Sequence, residues 1–207
     1  MAIGAVGLVG CSGQGGSSSD IAVSLPPPAV TSAVTSSPAP ATPAPATSGA
    51  TPAPAGTSLA CTDAIDTLAA APDPTSGDTI VLGVVALPTA EPSRPAIATS
   101  RSGDRDPERR LFGKSGLVVR AGAPATLEVV DGASGQIGWG NPGLPARRLV
   151  VPVCPGSGWL AFAGGFYVPR PACLPIVVST GGQQRRVFVG VGAPCPGQPP
   201  APPPSDT

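Results

Sequence analysis

The alternation of apolar and polar residues is clearest between Leu174 and Val191, where it predicts a β-hairpin. Two apolar runs flank Gly181 and Gly182, and a glycine pair readily adopts the positive φ angles that a two-residue primed turn requires. The cross-strand pairs are then Leu174 with Val189, Ile176 with Val187, and Val178 with Arg185. The opposite face carries Val177, Ser179, Arg186 and Phe188. One face of this hairpin is therefore predicted to belong to a hydrophobic core.

Shorter apolar runs, separated by Gly, Pro and Asp, predict further strands at residues 117–120, 126–130, 147–153, 159–162 and 166–168. Residues 78–87 (DTIVLGVVAL) are apolar almost throughout, which predicts one continuous strand buried on both faces. Residues 64–71 (AIDTLAAA) fit either two helical turns or coil. Short strands with no long helical pattern predict an all-β fold, either an antiparallel β-sandwich of the immunoglobulin-like type or a small barrel.

Composition divides the chain into four segments. Residues 1–10 are short and apolar, and residues 11–59 are rich in Pro, Ala, Ser and Thr. A segment of the second kind cannot bury enough apolar surface to fold, so it is predicted to be a disordered linker. Residues 60–195 are predicted to form the β-sandwich domain, and residues 196–207 a disordered proline-rich tail. Within the domain, residues 89–110 hold several prolines and many charges and are predicted to be a long exposed loop.

Charge and histidine content exclude several classes of function. Lysine and arginine number 12, as do aspartate and glutamate, and charged residues make up only 12% of the chain, so no basic surface for nucleic acid is expected. The sequence contains no histidine, which removes His-based triads and the usual zinc enzymes. Aromatic residues are 3% of the chain, so the core is expected to be aliphatic, as strands favour. We predict no cofactor and no metal site.

Apart from Cys11, four cysteines remain, and an even number predicts two disulfides in an exported domain. Three pairings are open. We favour Cys154 with Cys173, which would tie the end of one strand to the start of the hairpin, and Cys61 with Cys195, which would join the two domain boundaries. The wide spacing of these cysteines argues against a zinc site, which needs closely spaced pairs.

Two polar motifs imitate functional sites. Gly113-Lys114-Ser115 imitates the end of a phosphate-binding loop, but Glu108 occupies the position of its first glycine and no helix follows, so a turn is predicted. Asp104, Asp106 and Glu108 form an acidic cluster, but arginines interrupt it, which indicates a solvated loop rather than a calcium or glycosidase site. Together with Glu128, these carboxylates are the candidates for an alternative function as an envelope hydrolase.

The aromatic residues suggest one core position and one surface. Trp159 heads a strand and is predicted to pack against the Cys154–Cys173 bridge. A partner-binding surface for carbohydrate, peptide or protein is predicted from an aromatic and basic set, namely Trp139, Phe166, Tyr167 and Arg170. The alternative is that these four residues cover the ends of the sandwich.

Residues 1–11 end in Leu8-Val9-Gly10-Cys11 and are followed by a Ser/Gly-rich run. This pattern resembles the lipobox of bacterial lipoproteins. The resemblance implies that residues 1–10 are the remnant of a signal peptide and that Cys11 becomes the lipid-modified first residue of the mature chain. The runs GWLAFAGGFYVPRPACLPIVV and GGQQRRVFVGVGAPC also resemble the C-terminal part of uncharacterised secreted lipoproteins of actinobacteria.

These inferences together predict a non-catalytic lipoprotein, anchored at the extracellular face of the cytoplasmic membrane, that presents a β-sandwich as a binding or structural module. Its partners would be the membrane, through the lipid anchor, and a protein or cell-wall glycan. We expect a monomer and no nucleic acid. Besides the hydrolase, the remaining alternative is an accessory or inhibitory subunit of a secreted enzyme or sensor kinase.

Overall fold

The structure of the protein, a computed structural model, describes residues 56–73, 75 and 77–203. Cys11, the predicted signal remnant and most of the predicted linker lie outside the described residues. The described residues belong to one compact unit within Ala50–Thr207, and they form an all-β fold, as predicted. Short 3-10 helices lie at Cys61–Asp63 and Pro107–Arg109.

The strands form three sheets. In chain order they are β1 (Thr57–Ser58), β2 (Asp66–Leu68), β3 (Thr79–Val81), β4 (Val85–Leu87), β5 (Ser100–Arg101), β6 (Leu111–Lys114), β7 (Leu117–Arg120), β8 (Ala125–Val129), β9 (Gln136–Trp139), β10 (Arg148–Val151), β11 (Trp159–Phe162), β12 (Gly164–Val168), β13 (Ala172–Thr180) and β14 (Gln183–Val191). The first sheet has the order β1-β10-β8-β13-β14, the second β2-β11-β7-β4-β3, and the third β5-β6-β12-β9. The pair β1–β10 is parallel, and the other pairs within the sheets are antiparallel.

The hairpin of β13 and β14 has the predicted register. Gly181 and Gly182 form its turn with φ angles of 53° and 77°, the positive values that the primed turn needs. Ile176 pairs with Val187, and the neighbouring predicted pairs form as well. The predicted core face is confirmed, because Leu174, Ile176, Val178 and Val189 are all fully buried.

Residues 78–87 form two strands rather than the single strand predicted. Leu82 and Gly83 have φ angles of 52° and 70°, and they reverse the chain so that Val81 pairs with Val85. The prediction was wrong because an uninterrupted apolar run shows that a segment is buried but not where it turns. Only β4 is buried along its whole length, whereas Ile80 in β3 is exposed.

Two other segments depart from simple expectation. Residues 64–71, for which either helical turns or coil was predicted, contain β2, which pairs with β11. Gly113 and Lys114 belong to β6 and pair with β12, so they form part of a strand rather than the predicted turn. The long segment 89–110 is largely loop, as predicted, but it includes the short edge strand β5.

One hydrophobic core receives buried side chains from all three sheets, for example Leu127, Val85, Leu117, Ile137 and Phe166. A smaller cluster lies on the opposite face of the second sheet and is built from Ala86, Val118 and Trp159. Trp159 is 7% exposed, so its predicted burial is confirmed, but the Cys154–Cys173 bridge against which it was predicted to pack does not form.

The disulfides join Cys61 to Cys154 and Cys173 to Cys195, with Cα–Cα distances of 5.5 and 4.9 Å. All four cysteines are therefore paired, but the favoured pairing, Cys154–Cys173 with Cys61–Cys195, was wrong. The register explains the difference. Strand β1 runs beside β10, and the Leu59 N–H donates to the Val150 carbonyl at 2.8 Å, which places Cys61 beside the chain that leaves β10.

The folded region extends past both predicted boundaries. Strand β1 begins before residue 60. After Cys195, the Gln198 side chain is buried and its Oε1 accepts a hydrogen bond from the Cys195 N–H at 3.1 Å. The Pro199 carbonyl accepts another from the Ala96 N–H at 3.0 Å. The first residues of the predicted disordered tail therefore pack on the domain.

Candidate functional site: two grooves of the β domain

The predicted surface of Trp139, Phe166, Tyr167 and Arg170 does not form. Strand β9 pairs with β12, and this register turns Trp139 and Phe166 into the core, where they are 2% and 0% exposed. Their rings meet edge to face with centroids 5.2 Å apart, and the Trp139 Nε1–H donates to the Ser115 carbonyl at 2.9 Å. These two aromatic residues are structural, because their apolar rings and the indole N–H are satisfied inside the domain.

Tyr167 and Arg170 lie outside the core. Tyr167 is half-buried and stacks in a tilted arrangement on Phe112, with ring centroids 4.9 Å apart. Arg170 is exposed, and it faces a groove together with two arginines that the sequence did not connect to it, Arg101 and Arg110.

We call this surface the arginine groove; it has a volume of about 570 Å³ and is lined by Arg101, Gly103, Asp104, Arg110, Leu111, Pro169, Arg170 and Pro171. The register of the third sheet builds it. Arg101 pairs with Leu111, and Leu111 pairs in turn with Val168, so one row of residues crosses β5, β6 and β12. Arg110 immediately precedes Leu111, and Arg170 follows Val168 by two residues. All three arginines therefore lie at the same end of the strands of the third sheet.

The acidic cluster beside the arginine groove is ion-paired. Arg109 contacts Asp104 at 2.7 Å and Asp106 at 3.3 Å. The Asp106 backbone N–H, followed by the Arg109 side chain, lowers the pKa of the Asp104 carboxyl, and the pKa of Arg109 is raised in return. Glu128 lies instead on β8, 3.9 Å from Arg148. Of the carboxylates considered for a hydrolase, Asp104 and Asp106 thus share Arg109 in a loop, whereas Glu128 lies on a strand of the first sheet beside a different arginine.

A second groove, which we call the mixed groove, has a volume of about 540 Å³ and is lined by residues 79–81, 89–91, 185–188, 173, 195 and 196. Strands β3 and β14 are the edge strands of the second and first sheets, and they form its two sides. The Ala90 N–H donates to the Phe188 carbonyl at 2.7 Å, so the segment after β4 is fixed to the outer edge of β14. The Cys173–Cys195 disulfide closes one end.

One wall of the mixed groove is a chain of hydrogen bonds. Thr89 is 6% exposed, and its hydroxyl donates to Thr79 Oγ1 at 2.6 Å; the Thr79 hydroxyl donates in turn to Glu91 Oε1 at 2.5 Å. Arg94 Nη1 donates to the Thr89 carbonyl at 3.0 Å, and Arg94 Nη2 lies 3.8 Å from Glu91 Oε2. This network fixes the Glu91 carboxylate at the rim.

A smaller pocket of about 210 Å³ shares Thr79, Ile80 and Glu91 with the mixed groove and is also lined by Asp78 and Arg94. Burial raises the pKa of the Asp78 carboxyl above its ordinary value, and the positive charge of Arg94 partly offsets that increase. Loss of hydration disfavours the charged form of a carboxyl group, which explains the direction.

The other wall of the mixed groove is apolar and cationic. Ile80, on β3, is 37% exposed and faces the groove from the opposite side, whereas on this wall Phe188 is 45% exposed. Arg185 and Arg186 line the same wall, and Arg186 Nη2 contacts Asp131 Oδ1 at 2.6 Å. Of the exposed large hydrophobic side chains among the described residues, Phe188 and Ile80 line this groove.

Part of the mixed groove could be predicted from the sequence. The hairpin pattern already placed Arg186 and Phe188 on the face away from the core. The opposite wall was missed because it exists only if residues 78–87 turn at Leu82 and Gly83, which brings Thr79 beside Thr89.

Comparisons with protein-family models, with curated proteins and with solved structures find no match to this chain. Among the described residues, no helix has the length and apolar character needed to cross a membrane. In the same part of the chain, no three side chains of His, Cys, Asp or Glu are grouped so that they would hold a metal ion.

Proposed function

We propose that the protein is a non-catalytic binding module of the cell envelope, anchored outside the cytoplasmic membrane through lipid on Cys11, and that the mixed groove is its ligand site. The two disulfides support the compartment, because such bonds persist mainly in oxidising environments. The lipobox-like sequence before Cys11 supports the anchor.

The observation that carries the binding function is the exposed pair Phe188 and Ile80 beside an ordered polar wall. Ligand sites are typically concave and mostly apolar, with a few fixed polar groups that orient the ligand. In the mixed groove, the apolar body of a ligand would lie against Phe188, Ile80 and Val187. Glu91 is already held by Thr79, so the groove does not have to reorder to present it.

Charge indicates how such a ligand is oriented. Among the described residues, no carboxylate lies within ion-pair distance of Arg185, whereas Arg186 already pairs with Asp131. An acidic group of the ligand would therefore bind at Arg185, and its apolar part would extend toward Ile80.

Site-specific photo-crosslinking in the producing cell tests the groove. Phe188 is replaced by p-benzoylphenylalanine, and the matched control carries the same amino acid at Leu144, which is 58% exposed and lines neither groove. We expect a discrete adduct from position 188 that is absent at position 144 and weakened by Arg185→Gln. Identical adducts at both positions, or none at position 188, would contradict the assignment of the site.

Fractionation of membranes tests the anchor separately. We expect the wild-type chain in the membrane fraction and the Cys11→Ala chain in the soluble fraction, because one thioether-linked diacylglycerol supplies the membrane affinity. A Cys11→Ala protein that remains membrane-bound to the same extent would contradict the lipid anchor, but it would not bear on the mixed groove as the ligand site.

A further inference from the structure

The arginine groove collects positive charge in a chain whose net charge is zero. Its three arginines lie in separate segments: Arg101 belongs to β5, Arg110 immediately precedes β6, and Arg170 lies in the chain after β12. All three side chains are exposed. The sheet register, rather than a run of basic sequence, brings them together.

These arginines are not neutralised by the nearby acids. Within the described part of the chain, no carboxylate lies within ion-pair distance of Arg101, Arg110 or Arg170. Asp104 also lines the groove, but its carboxylate is occupied by Arg109 at 2.7 Å. The groove is lined by three arginines and one carboxylate, that of Asp104, so it keeps an excess of positive charge.

Three guanidinium groups at one groove fit a particular class of anion. A carboxylate has two oxygens, and one arginine is enough to bind both in a fork-to-fork arrangement. A phosphate group offers more acceptor oxygens and up to two negative charges, so it engages several guanidinium groups at once. Leu111, Pro169 and Pro171 provide an apolar side against which the rest of a ligand would lie.

We propose that the arginine groove binds a phosphate-bearing ligand through Arg101, Arg110 and Arg170. This site goes beyond the proposed function, because it lies on the third sheet and shares no lining residue with the mixed groove. The phosphate has three potential sources, namely free phosphate, a phosphate-containing polymer of the envelope, and the headgroup of an anionic phospholipid.

Binding is measured with the full chain carrying Cys11→Ala, so that the anchor does not contribute. The probes are inorganic phosphate, tripolyphosphate, and phosphatidylcholine vesicles with and without phosphatidylglycerol; polyglutamate is the carboxylate counterpart. We expect saturable binding of at least one phosphate probe, weaker binding of polyglutamate, and a decrease in affinity with added salt. The probe that binds most tightly identifies the source of the phosphate.

The test variant is R101Q/R110Q/R170Q, and the matched control is K114Q/R120Q/R147Q, which removes the same charge from exposed residues that line neither groove. We expect at least about tenfold weaker binding in the test variant and less than about twofold change in the control. Equal losses in both variants would show attraction to charge in general and overturn the site. Polyglutamate binding as tight as phosphate binding, or no saturable binding of any phosphate probe, would also overturn it.

Thermal unfolding establishes that both triple variants fold. If the test variant does not fold, the single substitution Arg170→Gln replaces it, because Arg170 is exposed and lies outside the strands. We expect this single change to weaken phosphate binding about threefold or more, whereas Arg120→Gln should leave it unchanged. Equal affinity of the two single variants would overturn the proposal.

Discussion

The mixed groove and the arginine groove differ in what holds their walls. A disulfide, a buried threonine network and two sheet edges fix the mixed groove. Exposed side chains form the arginine groove, and the ion pairs of Arg109 order the adjacent loop. A fixed, partly apolar groove selects a ligand by shape, whereas an exposed cationic groove attracts it by charge, which salt screens. We therefore expect substitutions in the walls of the mixed groove to lower the stability of the fold, and substitutions of the groove arginines to weaken ligand binding with little effect on stability.

The largest effect should come from the disulfide at the mixed groove. We expect C173A/C195A to lower the free energy of unfolding by about 3 kcal/mol, because a loop of this size no longer restricts the unfolded chain. Denaturant unfolding followed by tryptophan fluorescence measures the loss. As the control from the other groove, Arg170→Gln should change stability by less than about 0.5 kcal/mol. Similar losses in both variants would break the distinction between the grooves.

The buried hydroxyl network should give the next effect. Thr89→Val keeps the shape of the side chain but removes the donor to Thr79 Oγ1, so we expect a loss of about 1 to 2 kcal/mol. Thr67→Val on exposed β2 is the matched control and should cost less than about 0.5 kcal/mol. If the two variants unfold at the same denaturant concentration, the network does not stabilise the wall.

The ion pairs of Arg109 beside the arginine groove should affect the titration of the Asp104 carboxyl. We expect Arg109→Gln to raise the pKa of Asp104, though not fully to its ordinary value, because the Asp106 N–H still donates to that carboxyl. In the wild type, a depressed pKa contributes stability above the unfolded pKa that is lost as the pH falls through the folded pKa. NMR titration of the side-chain carboxyl measures the change. Arg105→Gln should leave it unaltered, and a fall in the pKa with Arg109→Gln would refute the assignment.

Asp78 should give the smallest effect and the opposite sign. Its raised pKa means that the folded state binds the proton more tightly, so stability falls as the pH rises from the unfolded pKa through the folded pKa. Asp78→Asn should therefore be slightly more stable at neutral pH, by up to about 0.5 kcal/mol, and lose this advantage below the unfolded pKa. The measurement is the unfolding midpoint of the variant and of the wild type across pH 3 to 7. A stability advantage of the variant that grows as the pH falls would contradict this prediction.

Local signals made the β13–β14 hairpin predictable. Two glycines allow the turn without strain, and the alternation determines which side chains face inward, so both signals predict the same hairpin and register. The β3–β4 turn lacked such a signal, since Leu82 takes a positive φ that a leucine rarely adopts. An apolar side chain at that position made the run look continuous.

The sites depended on pairing between distant strands. Trp139 sits in a Gly- and Pro-rich stretch that resembles an exposed loop, and only its strand's pairing with β12 buries it. Arg101 and Arg170 are 69 positions apart in sequence (170 minus 101), and the rows across β5, β6 and β12 bring them to one groove. The disulfide partners likewise follow from β1 lying beside β10. Single-residue patterns contain no information about these registers.

The two disulfides also decide which parts of the domain carry mechanical load. A pull on the chain at both ends of the domain crosses from Cys61 to Cys154 and from Cys173 to Cys195, so tension bypasses residues 62–153 and 174–194. Both strand walls of the mixed groove, β3 and β14, lie within these bypassed loops. Arg170 lies on the segment between Cys154 and Cys173, which neither disulfide bypasses. Tension applied between the two ends of the domain would therefore spare the backbone of the mixed groove and load the segment that contains Arg170.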